Sequence, residues 1–240
     1  AHTFLTKQSS WAASNGKLGL GLVPTGWQTN TTDTVFSSTT ADRQWTSDTG
    51  GTTPSSGTGP TAGHDSGQGI DGDGREGAST VDYIYTEATS QFNKRMLLRT
   101  PELDLSTALA NDTLKLYFWF HMYGSNMGDL GVAVTDSATS AGDDTLSLHF
   151  TGDATGGATI VFWDDNSDDG SSTSSAVRIS GQQQTQGHGN TTTDAHWRLG
   201  AVDLNSVAGQ SSVYIWFYGK TGSGFRSDMA IDDVEVVGEQ

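Results

Sequence analysis

Residues 117–131, YFWFHMYGSNMGDLG, hold the feature that most limits what this chain can become. Phe118, Phe120 and Met122 alternate with Tyr117, Trp119, His121 and Tyr123, so an extended strand here presents bulky side chains on both faces. Such a strand must be covered on both sides, which places it at the centre of a layered β structure. A histidine in that setting is expected to be a neutral, hydrogen-bonded packing residue and not a catalyst. Asp129 reads as a turn residue.

Shorter runs repeat the pattern. Val81, Tyr83 and Tyr85 share one face of STVDYIYTEA, and Asp82, Ile84 and Thr86 share the other. KRMLLRTPELDL follows, with Pro101 at a strand end, and then DLGVAVTD, DTLSLHFTG, ATIVFWDD, SAVRIS, HWRLGAVDL, SSVYIWFYGK and MAIDDVEVV. Roughly ten short strands separated by Gly, Ser, Thr and Asp predict a two-sheet antiparallel β-sandwich in a single domain. Residues 1–24 form an N-terminal extension whose strand candidate is KLGLGLV. From Trp27 to about Thr61 the chain reads as loop with two short strands, anchored at Phe36 and Trp45. Residues 135–175, rich in Asp, Gly, Ser and Thr, are expected to form an elaborated hairpin insertion.

The chain carries 12 Lys and Arg against 28 Asp and Glu, a formal net charge of -16. That balance repels phosphate, so neither nucleic acid nor anionic lipid is an expected partner, and cations are the natural counterparts. The same acidity keeps a chain hydrated and soluble in a salty medium. Cysteine is absent, which removes disulfides and thiolate metal sites. No apolar run reaches the roughly 20 residues needed to span a bilayer, so no membrane insertion is expected. Ala at position 1 matches the mature end left by signal cleavage, and Asn30, Asn111 and Asn190 head glycosylation sequons.

Motifs for chemistry are sparse. GQGIDG at 67–72 fits a dinucleotide fingerprint in letters alone, because neither a buried strand nor a helix-forming run flanks it. GKT at 219–221 lacks the upstream glycine of a phosphate loop. Asp71, Asp73 and Glu76 crowd a glycine-rich loop, and Asp165, Ser167 and Asp169 begin an EF-type order that fails at its twelfth position, Ala176. Either loop could hold a hard cation or be a solvated acidic turn. The histidines at 2, 64, 121, 149, 188 and 196 form no zinc-binding spacing, and no nucleophile elbow is present. Carboxylate pairs for glycoside hydrolysis are spatial and invisible in sequence. Trp11, Trp27, Trp45, Trp163 and Trp197, flanked by polar residues, are candidates for a sugar-stacking platform or for the core.

GTGPTAGHDSGQG at 57–69, with DYIYTEATS behind it, FWFHMYGSNMGDLGVAV at 118–134, HWRLGAVDLNSVAGQSSVYIWFYGKTGSG, and SDMAIDDVEVVG at 227–238 resemble the MAM domain in order and spacing, over residues 25–240. The resemblance implies a jelly-roll-like β-sandwich that serves outside cells, secreted or at the cell surface, as an adhesion and interaction module and not as an enzyme. It also implies self-association, as a homo-oligomer or homopolymer, and a structural cation such as calcium. The matching cation positions are Asp65, Glu87, Asp232 and Asp233. The chain departs from the family in lacking cysteines, in having no Phe-Glu pair before Trp27, and in the length of 135–175. Two alternatives stay open beside the adhesion module. One is a carbohydrate-binding module, or accessory domain of a polysaccharide-degrading enzyme, with a glycan partner. The other is a subunit of an extracellular fibre that exchanges its N-terminal strand.

Overall fold

The computed structural model describes residues 2–8, 11, 26–29, 44–48, 58–60, 63–64, 83–108, 113–135, 160–163, 178–185 and 197–239. Among them the chain is all-β. The strands are β1 (His2–Gln8), β2 (Gln28–Thr29), β3 (Thr46–Asp48), β4 (Tyr83–Tyr85), β5 (Arg95–Arg99), β6 (Thr113–Met122), β7 (Asp129–Thr135), β8 (Ile160–Trp163), β9 (Arg178–Ser180), β10 (Arg198–Asp203), β11 (Tyr214–Lys220) and β12 (Met229–Glu239). A 3-10 turn at Asn205–Val207 joins β10 to β11. The large sheet runs β3-β4-β12-β6-β10-β8, and the small sheet runs β2-β5-β11-β7-β9. Every pairing is antiparallel, giving the jelly-roll-like two-sheet sandwich expected from the sequence.

The core lies where the sheets face each other. Leu114, Leu116, Phe118, Phe120 and Met122 of β6 point into it beside Ile231, Val234 and Val236 of β12. The small sheet answers with Met96, Leu98, Leu130, Val132, Ile215 and Phe217, and Phe118 meets Phe217 edge-on at 5.1 Å. The opposite face of β6 is also buried. There Tyr117 and Trp119 join Tyr83, Tyr85, Trp197, Leu199, Ala201 and Ala230 in a second apolar cluster. Strand β6 is therefore central and covered on both faces, and His121 is fully buried with its ring edge-on to Trp197 at 5.8 Å. Tyr and Trp suit this outer layer because each has a polar atom at its rim; the Tyr83 hydroxyl donates to the Pro60 carbonyl.

Sequence and structure differ at particular elements. The N-terminal strand forms at HTFLTKQ, whereas KLGLGLV lies outside the described residues, as does DTLSLHFTG. Within 135–175, Ile160–Trp163 joins the large sheet by pairing with β10, and 136–159 and 164–175, where the hairpin insertion was expected, lie outside the described residues. Asp129 opens β7 opposite Lys220 and is not in the turn.

Strand β12 organises the large sheet. One edge pairs with β6 along almost its whole length, while β4 and β1 divide the other: β4 takes Ala230 and Ile231, and β1 reaches from Val234 to Gly238. Tight packing tolerates little added volume. Gly200 of β10 faces Phe118, and a Cβ there would stand 2.6 Å from the ring. Gly200→Ala should therefore destabilise the fold by about 1 to 3 kcal/mol in urea titrations, as overpacked cores do. At Gly209, where nothing lies within 4 Å but φ is 85°, an alanine should cost only its backbone strain, about 1 kcal/mol.

Candidate functional site: a carboxylate clasp on strand β12

In an unbroken strand Asp232 and Asp233 would point to opposite faces. They do not here, because the register with β6 moves from Asp232 opposite Trp119 to Glu235 opposite Tyr117, leaving one extra residue on β12. The bulge is taken up by Asp233, whose φ of 48° lies in the left-handed region that aspartate tolerates better than most residues. Its backbone N–H donates to Asp232 Oδ1 at 2.8 Å. The consequence is that Asp232 and Asp233 stand side by side on the outer face, both essentially inaccessible.

Two remote segments converge on this pair. Trp11, just beyond β1, donates its indole N–H to Asp232 Oδ1 at 3.0 Å. His64 donates its backbone N–H to Asp232 Oδ2 at 2.9 Å, and its ring Nδ1 lies 2.7 Å from Asp233 Oδ2. An ionised Asp233 only accepts, and toward it the ring donates from Nδ1. The His64 ring stacks on Trp119 at 3.9 Å and 11°, and Trp11 packs edge-on against Trp27 at 5.0 Å. Burial, and then the charge of Asp233, push the Asp232 carboxyl well above the usual carboxylate range; the N–H donors of Asp233, Trp11 and His64 pull the other way.

A histidine oriented by a carboxylate is half of a hydrolytic triad. Here the ring is completely buried under Trp119, so it offers no face to a substrate, and the chemistry available to it is fastening.

The four cation positions expected from the resemblance do not all meet. Asp232 and Asp233 are adjacent, and Asp65 lies outside the described residues, one position after His64. Glu87 sits near the opposite end of the β4–β12 pair, where Thr86 and Met229 exchange hydrogen bonds. There Asp228 accepts from the Ala88 N–H at 2.8 Å and from the Thr58 hydroxyl at 3.1 Å, and Glu87 accepts from the Thr89 N–H. Roughly 13 Å of strand separates Asp228 from Asp232. Between these ends burial, then Glu87, Asp48 and Asp228, hold the Tyr85 phenol far above its ordinary range. Among the described residues no three His, Asp or Glu side chains gather as metal ligands. Asp71, Asp73, Glu76, Asp165 and Asp169 lie outside the described residues.

Burial decides for the core in four of the five tryptophans that the sequence left between a sugar-stacking platform and the core. Trp11, Trp27, Trp45 and Trp197 are 0 to 5% exposed, so none presents a face to a glycan. Trp163 is on β8, opposite Leu199. The exposed large apolar residues among the described ones are Phe92 and Phe225. Trp11 and His64 belong to the clasp without having been marked for it, since Trp11 and Asp232 are 221 residues apart and nothing local in either segment announces the contact.

Replacing Trp11 with Phe keeps most of the packing and removes one N–H from a buried carboxyl group. Trp11→Phe should lower stability by about 1 to 3 kcal/mol in urea titrations. His64→Phe, which keeps the stack on Trp119 but strips Asp233 of its ring partner, should cost more, about 3 to 5 kcal/mol.

No protein family and no curated protein matches this chain. Solved structures do. The K1 cleaved adhesin domain of Lys-gingipain from Porphyromonas gingivalis W83 is similar at 16% identity and a TM-score of 0.45, over 97% of this chain and 98% of that one. The K3 cleaved adhesin domain of Lys-gingipain from the same organism is similar at 14% identity and a TM-score of 0.43, over 98% of each chain. The K2 domain of Lys-gingipain is similar at 12% identity and a TM-score of 0.43, over 96% of each.

Proposed function

We propose that this chain is a secreted or surface-displayed adhesion and interaction module of MAM type, without catalysis of its own, that self-associates and is stabilised by a bound hard cation such as calcium. One observation carries the reading. Three of the segments on which the resemblance rests meet at a single place: His64 stacks on Trp119 of β6 and bonds Asp232 and Asp233 of β12, while β6 and β12 pair directly. The buried histidine and acids serve to hold segments together, the role a recognition scaffold requires of its interior.

A hard cation takes six to eight oxygens. Asp232 accepts three N–H donors and Asp233 faces the His64 ring, so the clasp supplies carboxyl oxygens from two adjacent residues. The described residues do not complete a coordination sphere at either acidic end, and the cation half of the proposal rests on the resemblance and on the acids it marks.

Chromatography and melting separate the two halves. Calcium at about 100 times its Kd should add roughly 2.7 kcal/mol of stability, and a chelator should remove it. Multi-angle light scattering should report more than one copy per particle. A strict monomer whose melting temperature ignores both calcium and EDTA would overturn both halves.

A further inference from the structure

Strand β1 pairs with the Val234–Gly238 edge of β12, alongside but not on β4. Its seven residues hold that edge through two register shifts, between Thr3 and Leu5 and between Leu5 and Gln8. Phe4 and Leu5 are half-buried against the core, and Phe4 lies against the backbone of Gly238. Without β1 this edge would present unpaired N–H and C=O groups and a strip of core.

Charge is distributed unequally about this contact. Residues 1–32 contain two lysines, Lys7 and Lys17, and no acid, so all 28 Asp and Glu lie beyond them. The receiving strand, MAIDDVEVVGE, carries Glu235 and Glu239 in addition to the buried Asp232 and Asp233 of the clasp. A basic strand donor is thus joined to a strongly acidic body, and the body of a second copy attracts it as its own does.

We propose that β1 is an exchangeable strand, and that the partner for the Val234–Gly238 edge is the β1 segment of a second copy of this chain. Every contact of β1 and the Trp11 anchor is then remade between copies, so exchange is close to neutral in contact energy and is set by concentration. Reciprocal exchange between two copies closes a two-fold swapped dimer, and head-to-tail exchange, in which one copy donates and the next receives, builds an open chain. It rests on the self-association half of the proposed function and specifies how that association is made.

The absence of cysteine allows a direct test. Thr3 and Val237 are cross-strand partners, at a Cα spacing suited to a disulfide. Thr3→Cys protein and Val237→Cys protein, each unable to cross-link β1 to β12 within one chain, are mixed at high concentration and mildly oxidised. Exchange predicts disulfide-linked heterodimers in excess of the homodimers that either variant forms alone. Heterodimers no more abundant than those homodimers would overturn the proposal. The double variant in one chain is the folding control. If it closes its disulfide within monomers while the mixture gives no heterodimer, β1 is fixed in its own chain. If it closes none, the β1–β12 pairing is itself wrong, and the proposal falls with it. Self-association in light scattering without heterodimers would remove strand exchange and leave the adhesion reading standing.

Discussion

One extra residue in β12 sets the conditions for much of the structure around it. By moving Asp232 and Asp233 to the same face, the bulge creates a buried doublet of carboxyl groups that no regular strand could offer. A buried acid is tolerable only when its oxygens are well supplied with donors. The donors come from far away in sequence, the Trp11 indole from beside β1 and the His64 backbone and ring from the segment that crosses the outer face. Placement of the N-terminal strand, of the 58–64 segment and of the outer aromatic layer therefore depends on one local irregularity. The stack of His64 on Trp119 links that irregularity to the central strand.

Period-two alternation was readable because it depends only on neighbouring residues. It located β4 to β12, and it marked β6 as covered on both faces, since Phe118 and Phe120 point one way and Tyr117 and Trp119 the other. Even the bulge left a trace. Ile231, Val234 and Val236, all turned to the core, are spaced three and then two apart, and the break falls at Asp233. Strand β1 was missed because HTFLTKQ is short and polar; its pairing is decided by the edge it meets and not by its own pattern. The tryptophans were left between core and surface for a related reason. Polar sequence neighbours say nothing about what covers a ring in three dimensions, and Trp11 and Trp197 are covered completely or nearly so.

The same distinction explains which histidine has a chemical environment worth naming. His121, inside the most hydrophobic run, attracts notice in the sequence and proves to be a packing residue against Trp197. His64, between Gly63 and Asp65 in sequence, attracts none, yet it holds the carboxylate contacts. Chemistry here follows the bulge and not the aromatic run, because the bulge brings two carboxyl groups together in a place from which water is excluded.

A chain without cysteine must fasten its long excursions by other means. The ties to Asp232 and Asp233 close spans of 221 and 169 residues. Closure entropy grows only with the logarithm of span, so these long loops cost little more than short ones would, by roughly 0.6 kcal/mol per doubling. A few strong contacts to buried carboxylates can thus replace a covalent framework. They also differ from one in kind: a disulfide belongs to the chain that forms it, whereas a hydrogen bond to Asp232 can be supplied by any copy that brings a tryptophan to it. Among the described residues, strand β1 and its Trp11 anchor are held by contacts of that second kind, a sheet edge and one hydrogen bond to a buried carboxyl group, so what fixes them is the geometry of the bulge and not a bond to the chain that carries it.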